Sequence, residues 1–261
     1  MIKIMKNLVI AVSPDSSLDL LRSYADIVVL DKDVVKENDT AYDTVYIRSH
    51  FSQPSTLPQA FPNEIDSLVN NAKNRNSKVK FIDNMDAVDK IVAFEDKWQQ
   101  YKTFSEFMPK TELYSDDLDI SGFVRPVYKN RLSSRGSGVT WDMRKVTGSL
   151  DDWIVQESLD IREELRIYII FREVYPIGAV KQSMTEGNKA QGTSARPLTN
   201  DELKFSSHLI MEAPSLDMVG IDIVRTLDGS LKLLEVNRSP GFAKFYELTG
   251  INLADVLYPK F

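Results

Sequence analysis

The sequence predicts a mixed α/β protein, an alternating α/β lobe followed by a region of paired antiparallel strands. Two observations carry this expectation. Short apolar runs at Leu8–Val12, Ile27–Leu30, Val45–Arg48 and Val79–Ile82 are separated by helix-forming stretches, the pattern of strands buried on both faces of a sheet. Further along, apolar runs come in neighbouring pairs, the clearest being Val219–Thr226 and Leu231–Val236 on either side of Asp228-Gly229. Asp-Gly between such runs marks a tight hairpin, because a type I′ turn needs φ > 0 at both central residues.

Bulk properties exclude several classes. A chain of 261 residues with 43% hydrophobic and 27% charged residues can bury a sizeable core as one large domain or a few joined lobes. A net charge of −6 leaves no basic footprint, so no nucleic-acid partner is expected. Cysteine is absent, which removes disulfides and thiolate chemistry and fits a cytoplasmic protein. No stretch approaches the roughly 20 apolar residues of a membrane span. The opening MIKIMKNLVIAV runs into Ser13-Pro14-Asp15 and reads as a first strand, not a signal peptide.

In chain order, Pro14, Asp15 and Ser16 supply a turn and an N-cap for a helix through Tyr24. Phe51–Pro62 carries Pro54, Pro58 and Pro62 and is expected to be loop, followed by a helix over Asn63–Ala72. Arg48, Ser49 and His50 end a strand, where open α/β sheets hold ligands, although a lone histidine is more often an ordinary polar residue. Met85–Phe107 reads as one helix, with Ile91, Phe94, Trp98 and Tyr101 at core-facing spacing; in the bland reading Asp96-Lys97 is part of its solvated face. Val124–Lys129 is a strand, Ser133–Gly138 a glycine- and serine-rich loop that could cradle phosphate, and Val139 begins a second strand. Trp153–Leu159 is a strand with polar residues at its end, and Leu165–Phe171 with Tyr175–Ser183 a hairpin pair. Thr185–Pro197 reads as loop; Thr199–Glu202 caps a helix reaching Met211; His208 is structural; Ile251–Leu257 is an amphipathic helix.

The 218–242 hairpin carries the chemistry. A two-residue turn at Asp228-Gly229 sets Leu227 opposite Ser230 and Asp222 opposite Glu235, with Asn237 on the same face. Facing carboxylates repel. A bound cation removes the conflict, and two carboxylates with an amide suit magnesium or manganese. The bland alternatives are a carboxylate turned to solvent or a three-residue loop that shifts the register.

Gly-Ile-Asp-Ile at 220–223 followed by Leu-Glu-Val-Asn-Arg-Ser-Pro-Gly-Phe at 234–242 resembles the metal-binding end of ATP-grasp ligases, most closely the RimK-type amino-acid ligases. Lys129 with Gly136 and Gly138-Val139 resembles their lysine and glycine loop, with Asn130 where many members have proline. The resemblance implies an ATP-grasp fold: an N-terminal Rossmann-like α/β lobe over 1–84, then 85–261 with a small lid over about 110–155 and a C-terminal antiparallel sheet over about 156–261. It further implies metal on Asp222, Glu235 and Asn237, and ATP held by Lys97, Lys129, Ser134, Gly136 and Gly138. Gln156, Glu157, Ser158 and Leu159 would hold adenine, and Glu163 or Glu164, which the sequence does not separate, the ribose. Arg166, Lys181 and Arg238 would face the acyl phosphate or substrate carboxylate. Asn188 and Gly192 match a further family pattern, with Thr193 in place of a second glycine. The implied activity joins a small-molecule or peptide carboxylate to an amine, releasing ADP and phosphate, in a protein that is free to form a homo-oligomer. The alternatives are a phosphotransferase acting on a hydroxyl and a nucleotide-binding regulatory protein without turnover.

Overall fold

The computed structural model describes residues 5–31, 40–48, 60–133, 138–181, 192–212 and 217–258. The first lobe is built from β1 (Asn7–Ala11), α1 (Ser16–Leu21), β2 (Asp26–Val29), β3 (Thr44–Arg48), α2 (Ala60–Arg75) and β4 (Lys80–Phe81). Its strands form a parallel sheet in the order β2-β1-β3-β4. Every residue of β1 and β3 is buried, which is why these runs are continuously apolar instead of alternating. Asp15 caps α1 by accepting the Ser17 N–H at 2.7 Å. α2 begins at Ala60, ahead of the expected Asn63, so Pro62 is not loop. It occupies the first turn, where its missing N–H has no helical acceptor to lose.

The stretch expected as a single helix over Met85–Phe107 is two: α3 (Val88–Glu95) and α4 (Lys97–Phe104). Asp96 breaks it with an extended backbone (φ −67°, ψ 116°) and caps α4 by accepting the Trp98 N–H at 2.8 Å. Asp96 is buried, not solvated, because the Arg131 guanidinium pairs with its carboxylate.

A small antiparallel sheet follows: β5 (Thr111–Leu113), β6 (Pro126–Asn130), β7 (Val139–Thr140) and β8 (Trp153–Glu157), ordered β5-β8-β6-β7. Its apolar cluster is confined to Phe123, Tyr128, Trp153 and Val155 with a few flanking side chains. The large sheet comprises β9 (Ile161–Ile170), β10 (Glu173–Val174), β11 (Ile177–Lys181), β12 (Gly192–Pro197), β13 (Met218–Thr226) and β14 (Leu231–Asn237), in the order β12-β11-β9-β13-β14 with β10 returning on β9. Arg162–Glu164 is therefore strand. Part of the expected 185–197 loop is strand too, since β12 pairs with β11 from Ile177↔Pro197 onward. α5 (Asn200–Glu212) starts with a reciprocal cap: Thr199 N–H donates to Glu202 Oε2 at 2.8 Å, and Glu202 N–H to Thr199 Oγ1 at 3.4 Å.

The chain ends with α6 (Ala243–Thr249), not anticipated from sequence, and α7 (Ala254–Leu257), a single turn where a longer helix was expected. Both return to the first lobe. Val9, Ala11, Leu18 and Tyr46 share a core with Tyr168, Met218, Phe242, Phe245 and Leu257, so the parallel sheet and the large sheet are packed as one body. The opposite face of the large sheet is covered by Phe104, Phe107, Leu209 and Ile210. Among the described residues no helix is long and apolar enough to cross a membrane.

Candidate active site

Asp222 pairs with Glu235 across β13 and β14, but not through the turn the sequence suggested. Thr226 N–H donates to Ser230 O and Gly229 N–H to Thr226 O, closing a three-residue loop over Leu227, Asp228 and Gly229 with Gly229 at φ +89°. Thr226, not Leu227, therefore faces Ser230. That loop moves the register by one as far as Ile223↔Leu233, and a bulge next to Asp222 moves it back. Glu235 and Asn237 consequently sit on the Asp222 face, where Asn237 Nδ2 donates to Glu235 Oε1 at 2.9 Å and lies 3.3 Å from Asp222 Oδ2.

The neighbouring strand fills the expected electrostatic conflict from the other side. β9 lies against β13 with Arg166 opposite Asp222, and β11 lies against β9 with Lys181 opposite Glu164. Arg166 grips Asp222 through Nε and through Nη2 at 2.6 Å, and Lys181 Nζ bridges Asp222 at 2.6 Å and Glu164 at 2.8 Å. Burial alone would raise the Asp222 pKa. The Arg166 guanidinium and Lys181 ammonium outweigh it and hold the carboxyl well below the usual range, while the buried Arg166, opposed by that carboxylate, is held further in its charged form. Burial pushes Glu164 up, against the pull of Lys181. Glu163 points to the opposite face, where it pairs with Arg196 at 2.5 Å, so of the two acids only Glu164 belongs to this cluster.

Lys97 and Lys129 approach from α4 and β6. The Lys97 N–H donates to Arg131 O at 3.1 Å, and its ammonium reaches the Ser133 carbonyl. Lys129 Nζ donates to Gln156 Oε1 at 2.6 Å, and Gln156 in turn donates to Thr111 Oγ1 at 2.9 Å. Burial lowers the pKa of both lysines, that of Lys129 to about 8, and both feel the Glu235 carboxylate, which pulls the other way. Gly138 faces Asn130, next to Lys129, from the turn before β7: it accepts the Asn130 N–H at 2.7 Å, its φ is +66°, and a Cβ there would meet Asn130 and Ser133 at 2.8 and 2.9 Å. Only glycine fits that approach. Ser134, Gly136, His50 and Asn188 lie outside the described residues, as does Ser49.

Three placements differ from expectation. β8 is interior to its sheet, so the Glu157 N–H is taken by Lys110 O and the Ser158 N–H by Arg125 O, whereas Leu159 makes no backbone hydrogen bond among the described residues. Arg238 is not brought into the cluster. It is buried, with Nη1 donating to Ile47 O and Nη2 3.5 Å from Glu95. Arg48 is equally buried, paired with Asp15 at 3.0 Å. Gln100, which no motif points to, also supports this face: its amide donates to Val236 O and accepts the Val236 N–H, each at 2.9 Å. It clamps the edge strand between Glu235 and Asn237, and only its burial on a helix that otherwise packs apolar side chains marks it.

The donor set is all oxygen, two carboxylates and an amide, as a hard divalent cation requires. Among the described residues no group of three or more Asp, Glu or His is arranged to hold a metal alone. Phosphate oxygens and water would complete such a site. A cleft of about 480 Å³ beside α1, lined by Asp15, Asp19, Arg22, Ile27 and Val29, shares none of these residues.

A family model described as the RimK-like ATP-grasp domain matches residues 127–259. The chain belongs to the RimK-like ATP-grasp family. Solved structures agree in fold. The ATP-grasp ligase PsnB complexed with minimal precursor has a TM-score of 0.66 at 15% identity, over 97% of this chain and 98% of that one. The D-cycloserine synthetase DcsG gives 0.66 at 16% over 97% and 98%, and the macrocyclase MdnB from Microcystis aeruginosa MRC 0.64 at 16% over 98% and 100%. No curated protein matches this chain. Family and fold make it an ATP-grasp enzyme of the ligase kind.

Proposed function

We propose that this RimK-like enzyme joins a carboxylate to an amine through an acyl phosphate, with release of ADP and inorganic phosphate. The observation that carries the reading is the convergence of Asp222, Glu235 and Asn237 with Arg166, Lys181, Lys97 and Lys129 on one face. Acids and cations so interleaved suit the terminal phosphates of a nucleotide with divalent metal better than a neutral ligand. Asp222, Glu235 and Asn237 are assigned to magnesium or manganese, which when bound neutralises phosphate charge. Lys97, Lys129 and the Gly138 turn are assigned to the phosphates, Glu164 to the ribose, and the Leu159 backbone at the junction of the two sheets to adenine.

A carboxylate oxygen attacks the terminal phosphorus and the bond to ADP breaks. The amine attacks the acyl carbon, loses a proton, and inorganic phosphate departs. No protein nucleophile is required, so the residues act by position and charge. Arg166 and Lys181 hold the acyl phosphate, and Arg238 secures the loop after Asn237. The precursor bound to PsnB and the D-cycloserine synthetase among the structural neighbours support a substrate panel that includes peptides as well as small molecules.

The test is interception by hydroxylamine. Purified protein, ATP and magnesium should yield hydroxamate in step with ADP when the right carboxylate is added. A phosphotransferase would form a stable phosphoester and no hydroxamate, and a regulatory protein neither product.

A further inference from the structure

The segment after Asn237 is held from the first lobe. Tyr46 Oη donates to Arg238 O at 3.2 Å, and Arg238 donates back to Ile47 O. Arg48 Nη2 donates to Pro240 O at 2.8 Å, and Ser17 Oγ accepts the N–H groups of Phe242 and Ala243 at 2.9 and 3.2 Å. Arg48 is 3% exposed; its charge is met by Asp15, and its guanidinium lies 5.3 Å from the centre of the Phe242 ring.

Pro240 is itself in contact with the acidic hairpin. A Cβ on Gly220 would come within 2.7 Å of Pro240 Cβ and 2.8 Å of Arg166 Cδ, and Gly220 is the residue paired with Asn237. The Pro240 ring and the Arg166 stem therefore rest on the same bare backbone. Displacing Pro240 releases both the end of β14 at Asn237 and the side from which Arg166 reaches Asp222.

We infer that Arg48 is a positioning residue: by holding the Pro240 carbonyl it fixes the Asn237 amide and the Arg166 guanidinium relative to Asp222. The inference rests on the assignment of Asp222, Glu235 and Asn237 as metal ligands, and the experiment separates the two. Calorimetry would compare binding of a non-hydrolysable ATP analogue with manganese and, in chelator, without it. Wild type should bind the manganese form more tightly. Equal binding of both forms by wild type would remove the metal assignment, and with it this role for Arg48. Arg48→Met should weaken the manganese form about tenfold, in the manner of residues that orient metal ligands, and leave metal-free binding unchanged. Arg48→Lys keeps a charge beside Asp15 and one donor for Pro240, and should recover most of the loss. A purely structural pin would lower the melting midpoint while the folded variant bound both forms like wild type, and that result overturns the inference. If Arg48→Met does not fold, Asp15→Asn serves, since asparagine still caps α1 but no longer sets a charge against the guanidinium. It should shift the manganese form alone, and unaltered affinity for it counts against the role.

Discussion

Asp222 and Glu235 face each other even though the loop joining their strands is one residue longer than a tight turn allows, because a bulge beside Asp222 takes up the difference. Their mutual repulsion is not what sets the stability of the hairpin. Asp222 is already engaged by Arg166 and Lys181, whereas half-buried Glu235 meets the Asn237 amide.

The two carboxylates should therefore differ when removed. Asp222→Asn leaves buried cations short of a counter-charge and should cost about 3 kcal/mol in the absence of ligand, as for other broken buried pairs. Glu235→Gln keeps an acceptor for Asn237 and should be within about 0.5 kcal/mol of wild type. Both should lose magnesium-dependent turnover. Urea denaturation of the two variants beside wild type separates the effects, and equal stabilities would mean that the Arg166 and Lys181 pairs contribute nothing.

Lys129 should matter for nucleotide through its charge. Lys129→Ala removes a charge-assisted contact and should weaken ATP binding by about 2 kcal/mol, or roughly thirtyfold, while Lys129→Arg retains part of it. Equilibrium binding of a fluorescent ATP analogue reads both variants.

The same lysine should give a pH signature. Burial brings its pKa to about 8 from an ordinary 10.5, so between those values the folded chain is short of a proton that the unfolded chain still carries. Stability from this residue then rises with pH, and its penalty is greatest below pH 8. Lys129→Met should accordingly be more stable than wild type at pH 7, with the advantage shrinking toward pH 10.5. Nucleotide phosphate draws the proton back, so binding near pH 9 should take up protons in wild type. Calorimetry in buffers of different ionisation enthalpy measures that uptake.

Glu202 ties three elements together away from the active site. Fully buried, it accepts from Arg196 at 2.8 Å, Arg225 at 3.0 Å and the Thr199 N–H at 2.8 Å. Glu202→Ala should destabilise the fold by about 3 kcal/mol through the stranded arginines and the lost cap. Its effect on nucleotide affinity of the folded protein should be nil, which a thermal melt and a binding titration together check.

How much of this was legible in the sequence depended on whether the determinants were local. Alternating side chains placed Asp222 and Glu235 on one face, and unbroken apolar runs marked the parallel strands. The turn chemistry was misread because Thr226 Oγ1 bonds Ser230 O at 3.0 Å and draws one more residue into the loop. Periodicity ran straight through Asp96, whose cap and Arg131 partner break the helix. Glu163 and Glu164 were inseparable until strand register sent one to Arg196 and the other to Lys181. Gln100 and Arg48 bond to backbone groups far away in the chain, on β14 and in the segment after it, and a backbone acceptor leaves no mark on sequence.

The central claim is that a substrate carboxylate attacks the terminal phosphorus of ATP, and oxygen tracing tests it most directly. With the substrate carboxylate labelled by ¹⁸O, one labelled oxygen should leave in inorganic phosphate for each amide formed, and none in ADP. Label recovered in AMP, or inorganic phosphate free of label while amide accumulates, would contradict the acyl-phosphate route and the roles assigned to Arg166, Lys181 and Asp222.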